Sequence, residues 1–351
     1  MTGSDGDMIK RQAAIPVVVL YGTPFERGSQ HGRRFRTEIG GAIAAARSER
    51  GPEVWQAACK QATAAMPAID EHAPDVAAEL KGIATGAGLD SIDVLLRSGF
   101  ELFGPAAVAG CSALAVGTAR GALVAQNWDA PVSFARELVL FLHYGPQGFE
   151  LAVIASTGGL CWVGCNRHGL AFVNNDLMLA TTRPGLPSQI IRRIILQERS
   201  TAGALARLKV LPHMAGRAYL LGDAAGAVAA VEVSATAGVR VNQADNPVLH
   251  TNHALASDIA ADESEATLLA TYPSSRHRYD VLRGKCPPRP DAAVIAALLA
   301  DQEGHPDSVA KAASLREPSA TLFSAIFDCG DRALFLCSGA PSDHPYQRFA
   351  W

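Results

Sequence analysis

The chain has 351 residues, 48% of them hydrophobic and 19% charged, a balance that supports a large folded core and excludes a disordered polypeptide. Its formal net charge of −3 lacks the basic excess of proteins that coat nucleic acid, so no nucleic-acid partner is expected. No apolar run approaches the roughly 20 residues of a membrane-spanning helix, and residues 1–10 are polar, without the core of a signal peptide.

Seven cysteines, at 59, 111, 161, 165, 286, 329 and 337, are odd in number and scattered. That is no disulfide framework, and it predicts free thiols in a reducing cytoplasm.

In chain order, a short apolar strand is predicted over residues 16–21. Alanine-rich segments with apolar residues at helical spacing follow: one helix over 26–47, a second over 53–66, a third over 73–85 and a shorter one over 91–98 capped by Asp90. At Gly110 the texture changes. Residues 111–118 and 122–127 read as two strands joined by a hairpin at Ala119, Arg120 and Gly121. Further strands are predicted at 138–144, 149–155 and 170–174. Residues 188–209 return to helix, broken near Ser200. Strands at 217–221, 228–234 and 248–251, helices at 274–282 and 291–299, and a hairpin of 321–327 with 332–337 complete the pattern. Strands and helices come in blocks, which favours an α+β sheet sandwich covered by helices over a doubly wound parallel sheet. No internal repeat or low-complexity linker divides the chain, so one domain is expected.

Several kinds of chemistry have no home here. The chain holds no Gly-x-Ser-x-Gly elbow, no phosphate-binding loop and no dinucleotide fingerprint; residues 221–226 read as a β-turn. Cys161 and Cys165 lie four apart among apolar neighbours, which suits core cysteines better than a zinc site. His250 and His253, three apart on a strand, would face opposite sides. No metal and no cofactor are expected.

The segment that stands out is Ala109-Gly110-Cys111-Ser112-Ala113, with Gln126-Asn127-Trp128-Asp129 near the open end of the same hairpin. A lone cysteine after a glycine can be a small buried hydrophobe. Here it falls where helix gives way to strand, and a thiol with a carboxylate and an amide nearby has the parts for acyl transfer.

The run from Gly110 to Asp129 resembles the autoproteolytic acyltransferases of the isopenicillin N acyltransferase type (penicillin acyltransferase, peptidase family C45), which are N-terminal nucleophile hydrolases. Gly22-Thr23-Pro24-Phe25-Glu26-Arg27-Gly28 with Gln30-His31-Gly32 resembles the family's amino-terminal signature. Gly164-Cys165-Asn166-Arg167-His168-Gly169-Leu170 resembles its Gly-x-Asn-x-x-Gly-Leu turn, Asn252-His253 its Asn-His pair, and Ala320-Thr321-Leu322-Phe323 its terminal strand.

The resemblance implies a four-layer αββα sandwich, and a chain that cuts itself between Gly110 and Cys111 into 1–110 and 111–351, two pieces that remain associated. It implies Cys111 as nucleophile, Asp129 orienting its amine, Asn252 as oxyanion donor and Arg316 as the active-site arginine. Asn174 and Asn175 are candidates for lining the pocket. The freed α-amine, with an ordinary pKa of about 7.7–8.0 against about 8.5 for the thiol, can act as the local base. The expected activity is hydrolysis or transfer of the acyl group of a small N-acyl amide. An uncleaved, non-catalytic relative that binds small molecules is the alternative. A redox or zinc protein built on Cys161 and Cys165 is a third reading.

Overall fold

The computed structural model describes residues 14–103, 110–179 and 182–351. In chain order the elements are β1 (Val17–Tyr21), α1 (Pro24–Arg34), α2 (Arg36–Arg50), α3 (Pro52–His72), α4 (Pro74–Ala87), α5 (Ser91–Ser98), β2 (Gly110–Thr118), β3 (Gly121–Pro131), β4 (Leu138–Gly145), β5 (Gly148–Ser156), β6 (Val163–Asn166) and β7 (Ala171–Asp176). They continue with α6 (Ser188–Ile195), α7 (Thr201–Val210), β8 (Arg217–Gly222), β9 (Val228–Ser234), β10 (Gly238–Asn242), β11 (Val248–His250), α8 (Ser257–Ala260), α9 (Glu265–Thr271), α10 (Ser275–Lys285), α11 (Ala292–Leu299), β12 (Ser319–Asp328), β13 (Ala333–Ser338) and β14 (Gln347–Ala350).

The strands form two sheets. One runs β1-β4-β5-β6-β7-β8-β9-β10 and the other β11-β2-β3-β12-β13-β14. Only the β1–β4 pairing is parallel; the remaining neighbours are antiparallel, some joined by hairpins such as β2–β3 and β4–β5, others, such as β3–β12 and β2–β11, brought together from distant parts of the chain.

Three apolar layers separate four layers of structure. Phe141, Val153, Phe172, Tyr219 and Val231 of the eight-stranded sheet meet Ile43, Trp55, Leu80, Ile194 and Leu205 from α2, α3, α4, α6 and α7. The alternate residues of the same strands, such as Leu140, Ile154, Val173 and Leu220, meet Ala113, Val124, Trp128 and Phe323 of the six-stranded sheet. The far side of that sheet, with Leu114, Val116 and Ile326, is covered by Val281 and Leu282 of α10 and Ile295 and Leu299 of α11. Strand periodicity of two thus serves a different core on each side, which is why these strands read as nearly unbroken apolar runs. The fold is the expected αββα sandwich.

Local rules account for most boundaries. Thr23 and Glu26 form a reciprocal capping box at the start of α1, Asp90 caps α5, and Ser200 caps α7 where a break was expected. Two expectations needed correcting. The helix expected over 26–47 is two helices, because Phe35 leaves helical geometry at φ −116° and ψ 29°. The turn lets α1 lie against α4 while α2 aims Ile39 and Ile43 into the core. The helix expected to stop at Met66 runs through Pro67 to His72, held by the fully buried Ile69. The short strands β6, β10 and β14 were not anticipated; at four or five residues each they carry little periodic signal.

The Gly-His-Gly signature near the amino terminus has a packing explanation. Gly28 and Gly32 of α1 face Gly82 and Gly86 of α4 so closely that a Cβ on Gly28 would lie 2.1 Å from the Glu79 carbonyl oxygen, and one on Gly82 would lie 2.2 Å from that of Phe25. Between them His31 accepts a hydrogen bond at Nε2 from the Gly158 N–H (2.9 Å); burial lowers its pKa to about 4, so it is neutral. Gly82→Ala should therefore destabilise by about 3 kcal/mol, the upper end for overpacking, because only backbone could move aside. Gly41→Ala in α2, where an added Cβ meets nothing within 4 Å, should stabilise by about 0.8–1 kcal/mol through helix propensity alone. Urea denaturation of the two variants reads both signs.

Candidate active site

The site forms where a ladder runs out. β11 pairs with β2 only at Ala113, Leu114 and Ala115. Beyond it, the Cys111 backbone has no strand partner on that side among the described residues, and its polar groups must be satisfied otherwise. Side chains do so. Asn252, two residues after β11 ends, accepts the Cys111 N–H at Oδ1 (2.8 Å). Asn175, reaching across from β7 of the other sheet, donates from Nδ2 to the Cys111 carbonyl oxygen (3.0 Å).

Arg278 of α10, 0% exposed, completes the grip. Its Nη1 donates to the Cys111 carbonyl oxygen (2.6 Å) and to Ser112 Oγ (2.9 Å), its Nη2 to Asn252 Oδ1 (2.9 Å), and its Nε to Ser274 Oγ (3.0 Å). The orientation of the Asn252 amide follows from chemistry. Two obligate donors, a backbone N–H and a guanidinium, converge on one atom, which must be the carbonyl oxygen. The amide nitrogen donates to the Asp176 carbonyl oxygen (3.2 Å).

Cys111 and Asp129 lie on opposite faces of the sheet. The register pairs Cys111 with Trp128 and Gly110 with Asp129, so the Cys111 side chain enters the core between the sheets while the Asp129 carboxylate faces the helical layer with Gly110. What joins the two is the backbone at residues 110 and 111. The thiol is beside an aromatic cluster in which Trp128 stacks on Phe323 (5.3 Å) and contacts Trp162 (5.1 Å), itself stacked on Phe100 (5.6 Å). Burial pushes the thiol's pKa up, and the charges of Asp129 and Asp176 add to this.

The Asp129 carboxylate is 0% exposed. Thr321 accepts the Lys311 N–H (3.0 Å) and therefore donates its hydroxyl to Asp129 Oδ1 (2.7 Å). Burial raises the Asp129 pKa from 3.8 to about 7, opposed by Arg278, Lys311 and the Thr321 hydrogen bond.

Arg316 is not part of this site. Its side chain is 64% exposed and pairs with Asp307 (3.3 Å), because residue 316 lies in a loop on the solvent side of β12. The arginine brought to Cys111 is Arg278. A signal for it existed in the sequence: Arg278 falls three and four residues before Val281 and Leu282, on the apolar stripe of its helix. Asn174 also lies apart from Cys111. Its amide donates to the Trp162 carbonyl oxygen (2.8 Å), and Gln126 donates to its main-chain oxygen across the two sheets. Asn127 ties β3 to the helical layer through the carbonyl oxygens of Leu299 and Val309 (2.7 and 2.8 Å).

Other motif residues are structural. Asn166 accepts from the N–H groups of His168 and Leu170 and donates to the carbonyl oxygens of Leu196 and Glu198, closing the turn in which Gly169 takes φ +78°. Cys161 belongs to the core under the helices and Cys165 to the core between the sheets, so the two thiols do not share a face. His250 contacts Glu232 (2.8 Å), while His253 contacts Ser275 (2.9 Å).

Two stacked sheets between helical layers thus present a cysteine at the head of β2 whose main chain is held by two asparagines and an arginine. The chain belongs to the acyl-coenzyme A:6-aminopenicillanic acid acyl-transferase family, whose model matches residues 116–343. Membership makes it an enzyme of amide-bond chemistry, amidohydrolase or acyltransferase. The match contains Asp129, Asn175, Asn252 and Arg278 and begins just after Cys111.

Among solved structures the chain is similar to an N-acylethanolamine-hydrolyzing acid amidase ortholog from Caenorhabditis elegans, at 10% identity and a TM-score of 0.47 over 63% of this chain and 93% of that one. It is also similar to penicillin V acylase from Agrobacterium tumefaciens (14%, 0.44, 65% and 82%) and to conjugated bile acid hydrolase from Clostridium perfringens (9%, 0.40, 69% and 97%). Among the described residues no helix is long and apolar enough to cross a membrane.

Proposed function

We propose that the chain is a self-processing cysteine amidohydrolase or acyltransferase that matures by cutting itself between Gly110 and Cys111. In this reading it then removes or transfers the acyl group of a small N-acyl amide through a thioester on Cys111. The observation that carries this reading is the hold on Cys111: nitrogen on Asn252, carbonyl on Asn175 and Arg278, at the first turn of a central strand. One amide on each backbone group would satisfy this strand end; the fully buried Arg278 guanidinium is more than that requires.

In the first step the Cys111 sulfur attacks the Gly110 carbonyl carbon. The C–N bond breaks, the nitrogen takes the proton given up by the thiol, and a thioester forms. Water then cleaves the thioester, leaving a Gly110 carboxylate and restoring the thiol. The new α-amine, with an ordinary pKa of about 7.7–8.0, serves as base for the thiol in turnover. Asn252 Oδ1 holds that nitrogen in place, with Asp129 on the other side of the junction. The Asn252 amide nitrogen is the candidate oxyanion donor, the role that the sequence suggested for this residue.

The aromatic cluster beside the thiol suits an apolar acyl group. The pieces 1–110 and 111–351 would stay together through the β1–β4 ladder and the shared core of α2–α5 with the eight-stranded sheet. The free thiols fit a reducing cytoplasm.

Intact-mass spectrometry of the purified chain tests the reading, followed by a panel of N-acyl amino acids, peptides and β-lactams with and without acceptor amines. Two masses meeting at Gly110–Cys111 and release of acyl product are expected. A chain that stays whole and turns nothing over would favour the non-catalytic binding protein.

The pH dependence has a definite sign. The folded Asp129 pKa of about 7 lies above its unfolded value of about 3.9, so the folded chain binds the extra proton between them. The stability this lends is present below about pH 4 and lost as pH rises through 7. Over the same range the carboxylate becomes available to receive an ammonium, so self-cleavage should accelerate through about pH 7. Asp129→Asn should flatten both trends, in thermal melts and in cleavage time courses.

A further inference from the structure

Resting on the self-cleavage reading above, we propose that Glu317, held by Lys311, is a second acidic group of the cleavage junction and, together with Asp129, the counter-charge for the α-ammonium that cleavage creates at Cys111. The observation is a convergence of buried, incompletely partnered oxygens on one glycine. A Cβ placed on Gly110 would lie 3.6 Å from Asp129 Oδ2 and 3.7 Å from Glu317 Oε1. Among the described residues, Asp129 Oδ2 and Glu317 Oε2 are buried without a hydrogen-bond partner, and their residues are 0% and 1% exposed. Buried carboxylate oxygens left in this state are costly and call for a ligand.

Lys311 explains how Glu317 is held there. Its ammonium meets Glu317 Oε1 at 2.5 Å and donates to Ser274 Oγ at 3.3 Å. Ser274 also receives Arg278 Nε. Lys311 reaches Asp129 through its own N–H on the Thr321 hydroxyl. The cluster therefore holds two carboxylates and two fixed cations beside Gly110, whose peptide bond to Cys111 is neutral before cleavage. Once the C–N bond breaks and Gly110 leaves as a carboxylate, the nitrogen is a primary amine that takes a proton from water. A positive charge then appears at the junction that Asp129 Oδ2 and Glu317 Oε1 face. Two carboxylates favour that ammonium.

Steric need does not explain the glycine: the Cβ distances at Gly110 are ordinary van der Waals contacts. The smallness of residue 110 instead leaves the oxygens uncovered.

The test separates charge from scaffold. Glu317→Gln alone leaves the Lys311 ammonium buried without its counter-charge, a structural cost in its own right. The double variant Lys311→Met with Glu317→Gln removes both charges with little change in volume, a replacement that is often neutral for stability. It should melt near the wild-type temperature. It should nevertheless cut itself at least about ten-fold more slowly in an intact-mass time course, the loss of one charge-assisted interaction. The double variant takes away a carboxylate and a cation together, so the acid limb of its turnover profile should move to lower pH by the excess of the Glu317 effect, Glu317 being the group that meets Gly110. A double variant that folds, cleaves at the wild-type rate and keeps the wild-type profile would overturn the inference. A wild-type chain that never cleaves would instead overturn the self-cleavage reading beneath it.

Discussion

Cys111→Ala is expected to leave a folded chain of full mass with no amide turnover, where the wild-type chain gives two polypeptides. The side chain lost is small, and its neighbours Trp128 and Phe323 stack on each other independently of it, so the cavity cost should be modest. The chemistry lost is complete. No other thiol is placed like it: Cys165 and Cys329 are buried in the core between the sheets, and Cys161 and Cys337 are likewise buried with raised pKa values. Cys111→Ser keeps an attacking oxygen that is the poorer nucleophile near neutrality, so slow processing with little turnover is the expected intermediate. Recovery of two polypeptides from the alanine variant would refute self-processing by this residue.

The second large effect should come from Arg278. Arg278→Met removes four hydrogen bonds at once and leaves the Cys111 carbonyl oxygen to Asn175 alone. Breaking a buried charged network in this way costs about 3–5 kcal/mol of stability. The Cys111 carbonyl is not the one attacked, so the rate loss comes from a displaced nucleophile, roughly 10²-fold for a shift of about 1 Å. Arg278→Lys separates the two effects. It keeps the charge but not the planar fork, so it should fold better than the methionine variant while remaining slow to cleave and slow in turnover. Arg316→Ala, on a side chain 64% exposed, should change stability by no more than about 0.5 kcal/mol and leave cleavage untouched. A slow Arg316→Ala chain beside a normal Arg278→Lys chain would restore the assignment first suggested by sequence position.

How far the sequence reaches is clear from these residues. Gly110, Cys111 and Asp129 were legible because they lie on one hairpin, where strand pairing converts sequence spacing directly into proximity. Asn252 was legible through the Asn-His pair, yet not its orientation. Only the arrival of Arg278 at the same oxygen shows that its carbonyl faces the Cys111 nitrogen. Arg278 is one of three arginines in α10, with Arg276 and Arg283; its place on the apolar stripe marks it as the buried one, but no local rule says that it meets a strand 167 residues earlier.

The sequence alone determined the blocks of helix and strand, their caps and turns, and the hairpin that carries the thiol. Those depend on interactions within a few residues: the Thr23–Glu26 box, the Ser200 cap, and alternation along β2 and β3. The tertiary structure decided what surrounds Cys111. Asn175 arrives from the opposite sheet, Arg278 from the helical layer, and Thr321 with Lys311 and Glu317 from around β12. It also decided that thiol and carboxylate occupy opposite faces of one strand pair. The physical reason is burial. Each of these polar groups is excluded from water only after the four layers close, so its partner is chosen by packing across the fold and not by its neighbours in the chain.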